Sequence, residues 1–284
     1  MNKKFELVMD QKIELFGRTL FRIKALISFA NVEAGEIGGY VEKEENLQVS
    51  GNAWVYGDAQ VSGNAWVYGD AQVSGNAWVY GDAQVSGNAQ VYGDARVYGD
   101  AQVYGDAQVY GDARVYGDAQ VYGDAQVYGD ARVYGDAQVY GDARVSGNAW
   151  VYGNAWVYGD ARVSGNAWVY GNACVCGNAR VSGNAWVSGN AWVYGDAQVY
   201  GDAHYLTMGP IGSRDDTITF FRTKEFKIAV GIGCFKGTID EFILQVKKTH
   251  ADNAHAKAYL LAAEVAKLRI DLTPEHTNPS HDPE

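Results

Sequence analysis

Residues 95–116 read ARVYGDAQVYGDAQVYGDARVY, and the six-residue unit inside that stretch decides the fold. Outward from it in both directions, a valine recurs every sixth residue from Val49 to Val199, 26 in all, without insertion or deletion. The unit is Val-(Tyr/Ser)-Gly-(Asp/Asn)-Ala-(Gln/Trp/Arg), with Cys174 and Cys176 as the departures, and it fills more than half of the 284 residues. Repetition at a short fixed period marks a solenoid, in which each unit buries its apolar side only against its neighbours.

Within a unit the apolar and polar positions alternate. Ala53 and Val55 point one way and Trp54 and Tyr56 the other, the period of a short strand. Gly57-Asp58 then interrupts the strand, and Gly with Asp or Asn favours a corner because these residues tolerate positive φ. A strand of about four residues followed by a two-residue corner, repeated, coils and stacks Val and Ala inside.

The units resemble the hexapeptide repeat of left-handed parallel β-helix proteins, in which three hexads close one triangular coil. The resemblance covers residues 47–204 and implies an all-β solenoid of about nine coils. A right-handed or four-sided solenoid is the alternative that the repeat leaves open. Three hexads per coil would stack residues 18 apart at the ~4.8 Å spacing of paired strands, giving a rod of roughly 40 Å. Arg96, Arg114 and Arg132 follow that period, as do Trp150, Trp168 and Trp186. Near the N-terminus Trp54, Trp66 and Trp78 instead follow a 12-residue period.

The ends depart from the repeat. Residues 1–47 read as a cap, with strands Lys12–Phe16 and Leu20–Ile27 around a Gly17-Arg18 corner. The segment from Phe29 through Gly38-Gly39-Tyr40-Val41 resembles the entry of uncharacterised repeat proteins from phage, prophage and enterobacterial genomes, some labelled acetyltransferase by analogy. That resemblance implies a capped first coil and a phage-encoded protein acting on a host component. Residues 205–272 read as a small ββαα domain: strands Thr217–Phe221 and Phe226–Val230, a helix opened by the capping box Thr238–Glu241, and a second helix from Asp252 or Asn253 to Arg269. Residues 273–284 are polar, carry three prolines and are expected to be disordered.

Charge and composition narrow the function. The net charge is −11, and the repeats from Val49 to Ala203 hold 15 Asp and six Arg. Direct nucleic-acid binding, which needs a basic surface, is not expected; an acidic DNA mimic is an alternative reading. No stretch reaches membrane-spanning length, Glu6, Asp10 and Lys12 break up any apolar leader, and three cysteines make no disulfide scaffold. A cytoplasmic protein without cofactors is expected.

Hexapeptide-repeat acyltransferases use a histidine base and loops extruded from the coils. Here no histidine lies between Val49 and Ala203, no loop interrupts the repeats, and His204 stands at the exit. A non-enzymatic protein is therefore expected, with no catalytic residue. His250, Asp252 and His255 offer ligands suited to zinc, and Cys174 and Cys176 suit a soft metal, but each set reads better as ordinary surface, and no metal site is expected.

The outward columns carry the binding expectation. With 18 residues per coil, Tyr80, Tyr98, Tyr116, Tyr134, Tyr152 and Tyr170 form a ladder. Beside it run Trp78, Arg96, Arg114, Arg132, Trp150, Trp168 and Trp186. These residue types dominate protein interfaces. A protein partner or self-association through this face is expected, with a glycan as the alternative and a homo-oligomer through the C-terminal domain as a further one. The competing reading is that the ladders only stabilise the rod by cross-strand stacking.

Overall fold

The computed structural model describes residues 3–201 and 204–273. From Trp54 to Val199 the chain forms short parallel strands, two to four residues each, distributed over three sheets. Each strand pairs with the strand 18 residues on, as Gln90 does with Gln108 and Val91 with Val109. The coil is therefore three-sided throughout, and a four-sided coil is ruled out. Trp54, Trp66 and Trp78 stand on three different faces, so the 12-residue period does not describe a coil.

The interior is almost wholly valine and alanine, and these side chains are fully enclosed from Ala53 to Val199. Burial of each valine stabilises by roughly 1.5–3 kcal/mol relative to exposure. The corners are made by glycine at φ near +70°; at Gly99 (φ +72°) an added Cβ would lie 3.0 Å from the Gly117 nitrogen of the next coil. Successive corners thus touch backbone to backbone, which only glycine permits.

The register holds from Val55 onward but not at its first valine. Val49 is 48% exposed, whereas Leu47 is 1% exposed and bridges to Val67 in the interior. Leu47 takes the inward place because Asn46 beside it is drawn down to bond the Gly63 and Ala65 carbonyls.

The N-terminal segment caps the open end. Its hairpin, Phe5–Leu15 with Arg18–Ala25, turns at Phe16-Gly17, one residue earlier than expected, and its first strand starts well before Lys12. A third strand, Ile37–Val41, joins a solenoid sheet in parallel with Gln60–Val61. The first coil's carbonyls, which have no preceding coil, are met in turn. Tyr40 and Glu42 donate backbone N–H groups to Ala59 and Val61, Gln48 donates to Val67, and Lys4 Nζ donates to Gly51 and Ala53. Phe5 and Phe29 cover Trp54 edge-on, so this nominally outward tryptophan is fully buried.

The C-terminal domain has four antiparallel strands, not two: Tyr205–Ile211 and Phe235–Thr238 flank the expected pair, observed as Asp216–Arg222 and Ile228–Ile232. Gly209-Pro210 and Gly237 hid the outer strands from pattern reading. Helix α1 (Ile239–His250) starts at the Thr238–Glu241 capping box, and α2 (Ala254–Arg269) is capped by Asn253. Tyr259, Ala262, Ala263, Ala266 and Ile270 are buried against the sheet, while Leu261, Val265 and Leu268 are exposed. Thr219 Oγ1 accepts from the Trp192 backbone and His204 Nδ1 from the Tyr200 backbone, closing part of the last coil. The tail expected to be disordered lies, beyond Thr273, outside the described residues. No helix of the described residues is long and apolar enough to cross a membrane.

Candidate functional site

The thirteen ladder residues lie on one sheet, in register. Trp78 pairs with Arg96, Arg96 with Arg114, Arg114 with Arg132, Arg132 with Trp150, Trp150 with Trp168 and Trp168 with Trp186. The tyrosine rings from Tyr80 through Tyr98, Tyr116, Tyr134 and Tyr152 to Tyr170 stack 4.8–5.0 Å apart and within 3° of parallel. Trp150 and Trp168 stack at 4.9 Å, and Trp168 and Trp186 at 5.2 Å.

The two columns also interlock. Tyr134 meets Trp150 edge-on at 6.1 Å, and Tyr152 meets Trp168 at 6.2 Å. Arg132 lies 4.7 Å from the Trp150 ring and Arg96 5.1 Å from the Trp78 ring. Burial, then neighbouring Tyr116 and Tyr152, pushes the Tyr134 phenol up to about 12. The result is a flat strip of stacked rings.

Tyrosine ladders are not confined to this face. Tyr92, Tyr110 and Tyr128 stack on a second sheet, and Tyr104, Tyr122, Tyr140 and Tyr158 on the third. Both follow from the same 18-residue arithmetic and were legible in the sequence. What distinguishes the first face is the column beside the tyrosines, with three arginines followed by three stacked tryptophans. Trp186, the outermost ring, is 48% exposed.

The other candidate groups are held by the fold. His204 is buried, with Nδ1 engaged by the Tyr200 backbone N–H. His250 packs at 5.5 Å on Tyr259 and 6.1 Å from His255, and no three His, Cys, Asp or Glu among the described residues are grouped to hold a metal. Cys174 and Cys176 share the outer side of one strand with Tyr158 and Trp192 nearby. Hydrogen bonding from Cys174 leads in holding the Cys176 thiol down to about 6 against the cost of burial, while the Cys174 thiol is pushed up. Sequence reading missed the hairpin tip, where Phe16 leans over Trp78; an aromatic residue ahead of glycine in a two-residue turn was the available signal.

Ten stretches of the chain match the YdcK β-solenoid repeat: residues 47–63, 59–71, 71–87, 89–105, 107–124, 125–141, 137–153, 155–171, 173–189 and 179–195. Together they span just over half of the chain. No curated protein matches it.

Proposed function

The chain belongs to the YdcK β-solenoid repeat family, and we propose that it serves as a rigid, non-enzymatic interaction module whose partner face is the Trp/Tyr/Arg strip. The observation that carries this reading is the run Trp150–Trp168–Trp186, three indoles stacked in register, the last of them exposed. Large aromatic surface held still before binding loses little conformational entropy on association. Stacking within the rod stabilises each pair by only about 0.2–1 kcal/mol, which glutamine and serine columns elsewhere in the same rod forgo without loss of register. An aromatic strip on a soluble surface is also the composition of interface hot spots.

The test is capture of partners from a bacterial lysate by the full chain, beside a Trp150→Ala, Trp168→Ala, Trp186→Ala variant. A stoichiometric protein that is lost with the three indoles supports the reading. Identical captures by both proteins, or none beyond self, would overturn it and leave the ladders a stabilising role.

A further inference from the structure

The tyrosine ladder of the Trp/Arg face begins at Tyr80 because position 62 of that column is serine, and the residue paired below Trp78 is Gln60. Two missing rings leave a hollow at the N-terminal end of the face. The hairpin tip Leu15–Arg18 roofs it, enclosing about 400 Å³ between Phe16, Trp78, Tyr80, Gln60 and Arg96, within the range of small-molecule sites, roughly 300–1,000 Å³.

Three features of this cleft are not explained by the packing of the rod alone. Phe16 occupies the first position of a Phe16-Gly17 turn at φ +49°, where Asn or Gly is favoured, and it is 85% exposed. A bulky ring there strains the backbone and gains almost no burial; what it does is stand 5.8 Å from Trp78 across the mouth of the hollow. Gln60 Oε1 is shielded from solvent and accepts no hydrogen bond from the described residues, so it needs a donor that none of them supplies. The third feature is charge. Glu42 neutralises Arg18 at 2.8 Å, but Arg96 has no carboxylate within ion-pair distance among the described residues, and the next group up its column is Arg114.

An unmet acceptor, an unneutralised guanidinium and aromatic walls describe a ring bearing both hydroxyl groups and a carboxylate. We propose that the cleft binds an acidic saccharide unit of the uronic-acid type. Its carboxylate pairs with Arg96, a ring hydroxyl donates to Gln60 Oε1, and its C–H surface lies between Phe16 and the Trp78–Tyr80 wall. The cleft uses Trp78, Tyr80 and Arg96 at the near end of the strip, whereas the partner test changes only Trp150, Trp168 and Trp186, so the two readings are tested independently.

The experiment is calorimetric titration of the full chain with trigalacturonate, with neutral maltotriose as the comparison. Binding of the acid should weaken about tenfold or more in Phe16→Asn and in Arg96→Gln, and maltotriose should bind about tenfold or more weakly than trigalacturonate. Phe16→Asn places a favoured residue in the turn, so its melting temperature should be unchanged or higher, which separates lost binding from lost folding. No heat of binding with trigalacturonate, equal affinity in Phe16→Asn, or equal affinity for the neutral sugar would each overturn the proposal.

Discussion

At the scale of single residues, the rod rests on glycine more than on valine. Gly117 has φ +69°, and a Cβ there would lie 3.0 Å from the Gly135 nitrogen. The left-handed conformation alone costs an L-residue about 1–2 kcal/mol, and the backbone contact adds to it. Gly117→Ala should therefore destabilise the middle coils by about 2 kcal/mol or more, visible as faster amide exchange there and a lower denaturation midpoint. A substitution without effect would mean that the corner can widen. The same six-residue pattern shows what single positions reveal and conceal. It places Val55 through Val199 inside correctly, because period-two alternation and a glycine corner leave no other register. It misplaces Val49, because whether Leu47 or Val49 points inward is decided by Asn46 reaching two carbonyls, a tertiary demand that no periodicity records. Trp54 is a similar case: its position reads as outward, and only Phe5 and Phe29 make it core.

At the scale of elements, the caps answer the open ends of the coil. Alternate backbone N–H groups along each strand donate to carbonyls of the following coil, as Trp54 does to Ala71 and Tyr56 to Val73, so the first coil presents carbonyls that no preceding coil can meet. Lys4 is the cap's most constrained member: 1% exposed, it donates to Gly51 and Ala53 and lies 4.1 Å from the Phe29 ring. Burial holds its ammonium down to about 8, with Asp70 pulling weakly the other way. Lys4→Met fills the same space but strands the buried Ala53 carbonyl, at a cost of about 1–3 kcal/mol, and leaves the part-buried Gly51 carbonyl without its donor. The pH dependence has a definite sign. The native state binds fewer protons at Lys4 than the unfolded chain does between the folded value of about 8 and the ordinary lysine value of 10.5, so this residue's contribution grows as pH rises through that window and is lost as pH falls through 8. Melting curves from pH 7 to 10.5 should show that rise in the native protein and its absence in Lys4→Met. A parallel pH profile in the variant would assign the rise elsewhere. The C-terminal cap was less legible for a related reason: its outer strands contain Gly209-Pro210 and Gly237, acceptable at a sheet's edges and uninformative in a sequence.

At the scale of the whole molecule, the rod is quasi-one-dimensional, and each coil's stability depends on its neighbours. Its corners form three columns of Asn and Asp in which the order matters. Where Asn precedes Asp the amide bridges one coil to the next, as Asn76 Nδ2 does to Asp94 at 3.1 Å and Asn64 to Asp82 at 3.0 Å. Asn runs extend this, through Asn148, Asn166 and Asn184 on one corner. In the central coils the columns are Asp on Asp, as at Asp94, Asp112 and Asp130, and a carboxylate cannot donate to the next. Like charges one coil apart then repel, with the interaction screened by salt over a Debye length of about 10 Å at 0.1 M and 3 Å at 1 M. The central belt is therefore the electrostatically weakest part of a rod whose packing is otherwise uniform. Asp112→Asn removes two repulsions and supplies a donor toward Asp130 in the geometry that Asn76 already uses. The variant should melt a few degrees higher than the native protein in dilute buffer, and the gap should shrink in 1 M salt, leaving only the part due to the new amide bond. Added salt should likewise raise the melting temperature of the native protein more than that of the variant. A gap independent of salt would mean that the stacked carboxylates already avoid one another, and that the central belt is held as firmly as the asparagine-rich ends.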